Sequence, residues 1–511
     1  EAQLAGVWDA SRAAELTGGE AYAESFAADA MQRLVADLDG YRGEWIAAHH
    51  ETCDAAQRRR EISPEQMDLR MACLAERRTR LDALVDVLVR RDPEALAQAQ
   101  EATAELPPIA ACSDARYVGR QGYGDAPMDP KVAIADAQRT TGALEEARTN
   151  AIAALADAES GGDAIAMAHA GLALGRAQQS LFESHEAHAT LVAAYEHARR
   201  QQLGDLAVAI AIELVGVSGA DLSRTDEGLW WLRIAELDGA ELGDAQLVAR
   251  REQAAAEVLE AAGRGREALA RATAAQELLR DASADAATLA SATLQVGRLH
   301  LSTGELDRGT ALLTDAARAL ADAVGPEHPG NAKAERLLAD AAQLRGDVDA
   351  ANRHAKRAVA VMENALGADH IALTPMLETF AEARHHAGAS DEGIAIVERA
   401  LVLARPRPQH DGVRARLHAL IGDIVDEFDR TRAVAEREQA FELARAAFGD
   451  QHRVTVQDLA AYGDALGAAG RTAEGIEKIG VALVIGESVL GVEHPEIASI
   501  HASLALAYER E

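Results

Sequence analysis

A chain of 511 residues is too long for one compact hydrophobic core, so it must be built as several domains or as a one-dimensional array. Hydrophobic residues make up 48 % but aromatics only 3 %. That balance is reached with Ala and Leu, strong helix formers suited to thin helix-helix interfaces, and predicts an almost wholly helical chain. The 51 basic against 83 acidic residues leave a net charge of −32, which argues against nucleic-acid backbones and anionic membrane surfaces as partners. A basic partner fits better, and a generally acidic, soluble surface is the plainer reading of the same charge.

In chain order, residues 1–111 carry no repeat and read as a small N-terminal helical domain. The chain opens on Glu1 rather than Met, as expected of a processed or excised piece of a longer polypeptide. Tyr41 to Arg60 and Pro64 to Arg91 read as two helices of a hairpin, with Ser63 placed to cap the second and Pro64 at its first position. Asp92-Pro93 restarts a third helix that ends before Leu106-Pro107-Pro108. Residues 112–130, with Gly119, Gly122, Gly124, Pro127 and Pro130, have the composition of a linker.

From Lys131 a repeat begins. Turns at Gly142, Phe182, Ser223, Gly263, Gly304, Gly346, Gly388, Phe428 and Gly470 recur every 40 to 42 residues. Twelve positions after each turn stands an alanine, from Ala154 and Ala194 through to Ala482; five positions after it stands Ala or Gly; seven before it stands Ala or Gly everywhere except Ile421. Small residues at these three places let antiparallel helices approach closely, and a period of this length built from helix hairpins means a solenoid. The nine hairpins span residues 131–494, and residues 495–511 supply a single capping helix, the usual cover for an exposed array end. The stretch from Leu206 to Ala220 is the most apolar, but at about 15 residues, with Glu213 in its middle, it cannot span a bilayer.

The loops between hairpins repeat as well. Gly325-Pro326-Glu327-His328-Pro329, Gly367-x-x-His370, Gly449-x-x-His452 and Gly491-x-x-His494-Pro495 share Gly-x-x-His, with His410 in a degenerate copy. The histidines are too far apart for one metal site and lack second ligands at close spacing, so loop packing or capping is expected, with no metal and no cofactor. No nucleophile, base and orienter cluster, so no catalytic residue is assigned. His385-His386 reads as a solvated pair and Arg58-Arg59-Arg60 as a helix C-terminus. Trp230-Trp231 should leave one ring in the core and the other at the surface, a partner hot spot or simple packing.

The pattern of small residues around a turn Gly resembles the tetratricopeptide repeat, and the 42-residue period with its Gly-x-x-His-Pro loop is similar to the long variant of kinesin light chains. The resemblance implies an all-α fold, an α-solenoid of tetratricopeptide-like hairpins in a right-handed superhelix, with departures at Ile421 and Phe428. It also implies that the first helix of each hairpin lines a concave groove, which places Arg176, Arg250, Arg298, Lys333, Arg336, Glu378, Glu382 and His385 on that lining. A groove with both signs of charge suits a peptide or protein segment, and Arg298, Lys333 and Arg336 are expected to form a local basic patch.

In the N-terminal zone, Leu4-Ala5-Gly6-Val7-Trp8-Asp9, Leu38-Asp39-x-Tyr41-x-x-x-Trp45, Glu51-x-Cys53, Asp68-Leu69-Arg70-Met71-x-Cys73-Leu74 and Leu106-Pro107-Pro108-x-x-x-Cys112 resemble the segment after the membrane helix in myxobacterial-type serine/threonine protein kinases. That resemblance implies the extracytoplasmic (periplasmic) sensory part of a membrane-anchored kinase whose catalytic domain is absent here. It would bind a protein or peptide, insert nothing into the membrane itself, and act by shifting a conformational or homo-oligomeric equilibrium. The alternative is a free-standing cytoplasmic scaffold. Cys53 and Cys73 lie on the two arms of the hairpin at similar heights and in an oxidising compartment could bridge, two buried thiols being the other reading. Cys112 would then lack its family partner, which stands before the first residue of this chain.

Overall fold

The computed structural model describes residues 2–18, 25–90, 95–96, 98–121, 128–239, 244–282 and 284–510. The expected restart at Asp92-Pro93, and Gly122, Gly124 and Pro127 of the linker, lie outside them. Among the described residues there are 24 helices and no strand.

The N-terminal domain holds α1 (Ala10–Thr17), α2 (Ser25–Cys53), α3 (Pro64–Leu88), α4 (Ala99–Ala104) and α5 (Ala115–Arg120). Ser63 caps α3 by accepting from the Gln66 N–H while the Gln66 side chain returns to the Ser63 N–H, with Pro64 in the first turn where its missing N–H costs nothing. Trp8, Leu16, Leu38, Trp45, Leu74, Leu81, Leu84, Leu88 and Ile109 form its core. The buried tryptophans keep their polar ends satisfied: the Trp8 indole N–H donates to Asp39 at 2.8 Å and that of Trp45 to the Leu74 carbonyl at 2.7 Å. Ala133 and Ala137 of the first repeat belong to the same core. The domain and the array are therefore packed as one body, and α5 lies within the stretch whose composition reads as a linker.

The expected Cys53–Cys73 bridge does not form. Cys73 pairs with Cys112, Cα–Cα 5.5 Å, and Cys53 is free. The cause lies in where the two arms point. Cys73 is buried on the inner face of α3, and the turn at Ile109–Ser113 folds Cys112 back against that face. Cys53, at the end of α2, runs into a wider π-type turn over Asp54–Arg58 and sits half-buried with its sulfur 4.0 Å from His49 Nδ1.

The nine hairpins follow in order: α6 (Pro130–Thr140) with α7 (Leu144–Gly161), α8 (Ala164–Ser180) with α9 (Ser184–Arg200), α10 (Gly204–Gly216) with α11 (Thr225–Asp238), and α12 (Ala245–Ala261) with α13 (Gly265–Asp281). Then come α14 (Ala286–Ser302) with α15 (Leu306–Val324), α16 (Pro329–Leu344) with α17 (Val348–Leu366), and α18 (Thr374–His386) with α19 (Ser390–Leu403). The last are α20 (Asp411–Val425) with α21 (Arg430–Phe448) and α22 (Arg453–Ala468) with α23 (Thr472–Leu490), before the single α24 (Pro495–Arg510).

The nine alanines after the turns are all buried, none more than 2 % exposed. The small residues five after the turn meet the backbone of those seven before it: a Cβ on Gly309 would lie 2.8 Å from the Gly297 carbonyl, and one on Gly475 2.6 Å from that of Gly463. In the third hairpin a π-type turn over Val217–Asp221 shifts the register, so Gly219 rather than Gly216 meets Gly228. Ile421, the one large residue in the series, is 1 % exposed and packs with Leu417, Ile424 and Val425.

Eight of the nine turns pass through the left-handed region; the exception is Phe428, whose hairpin closes through Asp429 N–H to the Val425 carbonyl. Phe182 (φ 61°) and Ser223 (φ 53°) hold that conformation without being glycine. For an L-residue this costs about 1–2 kcal/mol. Phe182→Gly, at a side chain already 70 % exposed, should therefore raise stability by about 0.5–1 kcal/mol once the entropy of the new glycine is counted, read as a shift in the urea midpoint. Gly388→Ala, where φ is 78° and the Cβ meets open space, should lower it by about 1 kcal/mol through backbone strain alone. Peptide mapping of oxidised protein without reductant should recover Cys73 linked to Cys112 and Cys53 alkylated; a Cys53–Cys73 peptide would contradict the packing described above.

Candidate functional site: the inner wall and its seam

Each Gly-x-x-His loop caps the helix after it. Nδ1 of His328, His370, His452 and His494 accepts from the backbone N–H two residues on, at 3.1, 3.2, 3.2 and 3.2 Å. His410 does not cap; its Nδ1 faces the Arg405 carbonyl at 3.0 Å. Capping through Nδ1 leaves the proton on Nε2, and in two loops that N–H reaches across the molecule. His452 donates to the Asp221 carbonyl and His494 to the Ala261 carbonyl, both at 3.1 Å. The Arg453 N–H adds a bond to Ser223 Oγ at 3.3 Å, and the ring of Pro495 lies where a Cβ on Gly263 would be, 2.5 Å from its Cδ. A cavity of about 60 Å³ beside Gly219, Ser223, Ala261, Arg453 and Leu490 marks the seam.

The third loop of this kind meets the N-terminal domain: Arg33 of α2 donates to the Ala323 carbonyl at 3.0 Å, at the end of α15, and its guanidinium lies beside Gly325. Residues about 230 positions apart thus touch, so the array curls back on itself after five to six hairpins and its inner wall is enclosed. Burial pushes the His452 imidazole down to about 4, the Asp221 bond opposing, so the seam is built for neutral histidine.

The inner wall is formed by the first helices. In its N-terminal half several charges close on one another across neighbouring hairpins, while burial pushes Asp221 up to about 6 and burial, then the Asp221 charge, pushes Glu257 up. Glu213 of α10 accepts from Arg176 of α8 at 2.7 Å and from Arg250 of α12 at 2.8 Å; burial pushes the carboxyl up, but the two guanidinium groups outweigh it and hold it at about 2. Arg80 of α3 joins the N-terminal domain to Asp136 at 2.7 Å and to Glu76 at 2.8 Å. Gln179 donates to Asp221 at 2.8 Å, and Arg298 grips Glu260 through both nitrogens at 2.6 and 2.7 Å.

The C-terminal half is different. Arg336 pairs with Asp340 at 3.2 Å, Arg416 with Glu378 at 3.4 Å, and Arg437 with Asp423. Glu382 has no such partner among the described residues: burial, then the charges of Asp340, Glu378 and Asp423, push it up to about 7, with Arg336 opposing. Asp458 is 8 % exposed with its Oδ2 unbonded among the described residues, and burial pushes it up to about 6, Arg437 pulling down and Asp423 pushing up.

The basic patch expected from Arg298, Lys333 and Arg336 is not a patch. Two of its members are committed to Glu260 and Asp340, and Lys333 is exposed with His328 in its field. Arg176 and Arg250 come together on one carboxylate, Glu378 and Glu382 come together with Asp340, and His385 Nδ1 turns to Ser390 Oγ at 3.0 Å. Trp231 is buried edge-on to Tyr195, 5.1 Å between ring centres, while Trp230 is 54 % exposed. Sequence reasoning missed Asp423 and Asp458. Asp423 stands five residues before Phe428 and Asp458 twelve before Gly470, each one place off the positions, six and thirteen before the turn, that Glu382 and Lys333 occupy in their hairpins.

No family model matches the chain, and no curated protein matches it. Solved structures that resemble it include human IFIT1 bound to m7Gppp-AAAA (13 % identity, TM-score 0.46, 98 % of this chain and 99 % of that one) and a Rap protein with Competence and Sporulation Factor (12 %, TM-score 0.47, 74 % and 98 %). A putative kinesin light chain from Podosopora anserina with nearly identical repeats aligns at 20 % identity, TM-score 0.34, over 40 % of this chain and 97 % of its own. The chain is a tetratricopeptide-like α-solenoid. Among its described residues no helix is long and apolar enough to cross a membrane, and no group of three His, Cys, Asp or Glu is disposed to hold a metal ion.

In this solenoid, Gly263→Ala should part the seam. The methyl meets Pro495 in a position already at φ +71°, and small-angle scattering should report a longer molecule together with faster amide exchange at Asp221 to Ala261. Glu382 gives a pH signature. Its folded value of about 7 lies above the ordinary 4.5, so its contribution is full below pH 4.5 and is lost as pH rises through 7. Glu382→Gln should therefore be more stable than the parent by roughly 1–3 kcal/mol at pH 8, the gap closing near pH 4 in urea titrations. Glu213→Gln, which strands two guanidinium groups, should cost about 3 kcal/mol.

Proposed function

We propose that this chain is a protein-interaction module that holds a peptide or protein segment against its enclosed inner wall, and that it serves as the extracytoplasmic sensory part of a membrane-anchored serine/threonine kinase. The observation that carries the first half is the wall itself. It is polar, continuous across adjoining first helices, and in its C-terminal half retains carboxylates that the fold leaves unpaired. Such groups cost stability when buried alone and recover it when a ligand supplies the missing charge or hydrogen bond. The Competence and Sporulation Factor in the Rap complex belongs to that protein; here the reading rests on the wall's chemistry.

The kinase half rests on the N-terminal motifs, and the buried Cys73–Cys112 bridge supports the placement. A disulfide between two cysteines each no more than 1 % exposed is a structural one, expected where the compartment is oxidising. Binding would act through the seam, since a segment laid along the wall touches hairpins that the seam couples to others half the chain away.

Two measurements test the two halves separately. Selection of peptides on the full chain, followed by cross-linking, should place bound segments on first helices; binders that map only to the outer, second helices would end the groove reading. Alkylation of native material before lysis should find Cys73 and Cys112 protected. Free thiols at both would rule out the extracytoplasmic placement.

A further inference from the structure

We propose that the inner wall of the seventh to ninth hairpins is a receiving site for basic side chains of the bound segment, lysine ammonium or arginine guanidinium groups, with Glu382 and Asp458 as the two carboxylates that meet them. The proposal rests on the reading that the wall holds a peptide or protein segment, and names what that segment must carry.

Glu213, Asp136 and Glu260 are each closed by an arginine from a neighbouring helix, Glu213 by two. Around Glu382 and Asp458 the arginines that act on them are already engaged, Arg336 of the sixth hairpin with Asp340 and Arg437 of the eighth with Asp423. Glu382 then stands in the field of three further carboxylates, and Asp458, more than nine-tenths buried in the field of Asp423 and Arg437, has an oxygen that nothing among the described residues satisfies. Asp423 lies between them in charge terms, since it raises both. Glu382 and Asp458 are thus the carboxylates of this group with no ion pair among the described residues, Asp423 being exposed and paired with Arg437, and a desolvated carboxylate left so is where a bound cation gains most.

The chemistry narrows the ligand. No set of three ligating side chains among the described residues is disposed around a single metal ion, so the cation must be one that donates directional hydrogen bonds to separated oxygens. Guanidinium and ammonium groups on a flexible stem do this, and the net charge of −32 steers such segments toward the molecule. The same two carboxylates are a burden to the empty protein. That pairing of cost without ligand and gain with it separates a receiving site from a structural ion pair.

The test uses the full chain and two double variants: Glu382→Gln with Asp458→Asn, and a control with the same change in charge, Asp315→Asn with Glu477→Gln, at exposed positions. Peptides selected from a random library on the parent should be enriched in Lys or Arg, bind the inner-wall double variant at least about tenfold more weakly by titration calorimetry, and bind the control unchanged. Replacing the selected lysine by norleucine should cost the parent as much and the double variant little. Without peptide, the double variant should melt a few degrees higher than the parent at pH 8. Binders from the inner wall that lack basic residues, equal affinity for the double variant, an equal loss in the control, or a lower melting temperature in the double variant would each overturn the proposal while leaving the groove reading intact. Spermidine displacing the peptide at equal concentration would overturn it in favour of a free polyamine. A library that yields no binder at all would instead remove the groove reading and the proposal with it.

Discussion

The structure depends on how closely two helices can approach. At the crossing of every hairpin but the eighth, where Ile421 stands, the side chains are reduced to a methyl or to nothing, and in three of them glycine meets glycine: Gly297 with Gly309, Gly463 with Gly475, Gly219 with Gly228. Leu313 and Leu191 fill what space remains beside Gly297 and Gly175. A spacing set by such contacts has little give, because an added methyl has no cavity to enter and interiors packed to this density transmit the strain. The same near-constant rotation from one hairpin to the next then accumulates along the chain. Five to six hairpins on, it brings the loops at His452 and His494 to the turns at Ser223 and Gly263.

Contact between distant hairpins changes the energetics of an array. An open solenoid is stabilised by neighbours alone and can unravel from either end. Here the start of the ninth hairpin and that of the capping helix are bonded to the third and fourth hairpins, and α2 of the N-terminal domain to the fifth, so loss of the C-terminal helices removes bonds near the middle of the chain. The Gly-x-x-His loop serves both scales with one ring. Nδ1 satisfies an orphan N–H at the start of the local helix, which leaves the proton on Nε2 for a carbonyl half the chain away.

The repeat is legible in the sequence because its constraint is local and recurs: nine alanines in register are a statement about nine identical crossings. The seam is not legible, because it follows from summed rotation, and no residue records a sum. The histidines were the available signal, but a loop histidine capping its own helix explains the motif without any distant partner. The disulfide failed for a related reason. Placing Cys53 and Cys73 at equal heights assumes two regular arms, and one π-type turn at Asp54 is enough to bring Cys53 out of line while the chain after Pro108 carries Cys112 into its place. The expected basic patch failed because charge was counted on the first helices without asking which carboxylates, Glu260 above all, would reach across to claim it.

The two halves of the inner wall do different work, and the seam joins them. In the N-terminal half Glu213, Asp136 and Glu260 are closed by arginines, and Arg80 with Asp136 and Arg120 with Asp205 tie that half to the N-terminal domain, so it is a stiff base. In the C-terminal half the open carboxylates lie on α18 and α22. The helix that carries Asp458 begins at Arg453, directly after the histidine that bonds to Asp221, so a charge captured at Asp458 acts on a helix pinned one turn earlier to the third hairpin. Asp221 in turn receives Gln179 from the second hairpin, whose Arg176 belongs to the closed half. The path from an open carboxylate to the base of the molecule is therefore short and made of hydrogen bonds between named groups. A ligand that reorders α22 must either carry that base with it or break the seam, and both are discrete changes of the kind a signalling partner can read.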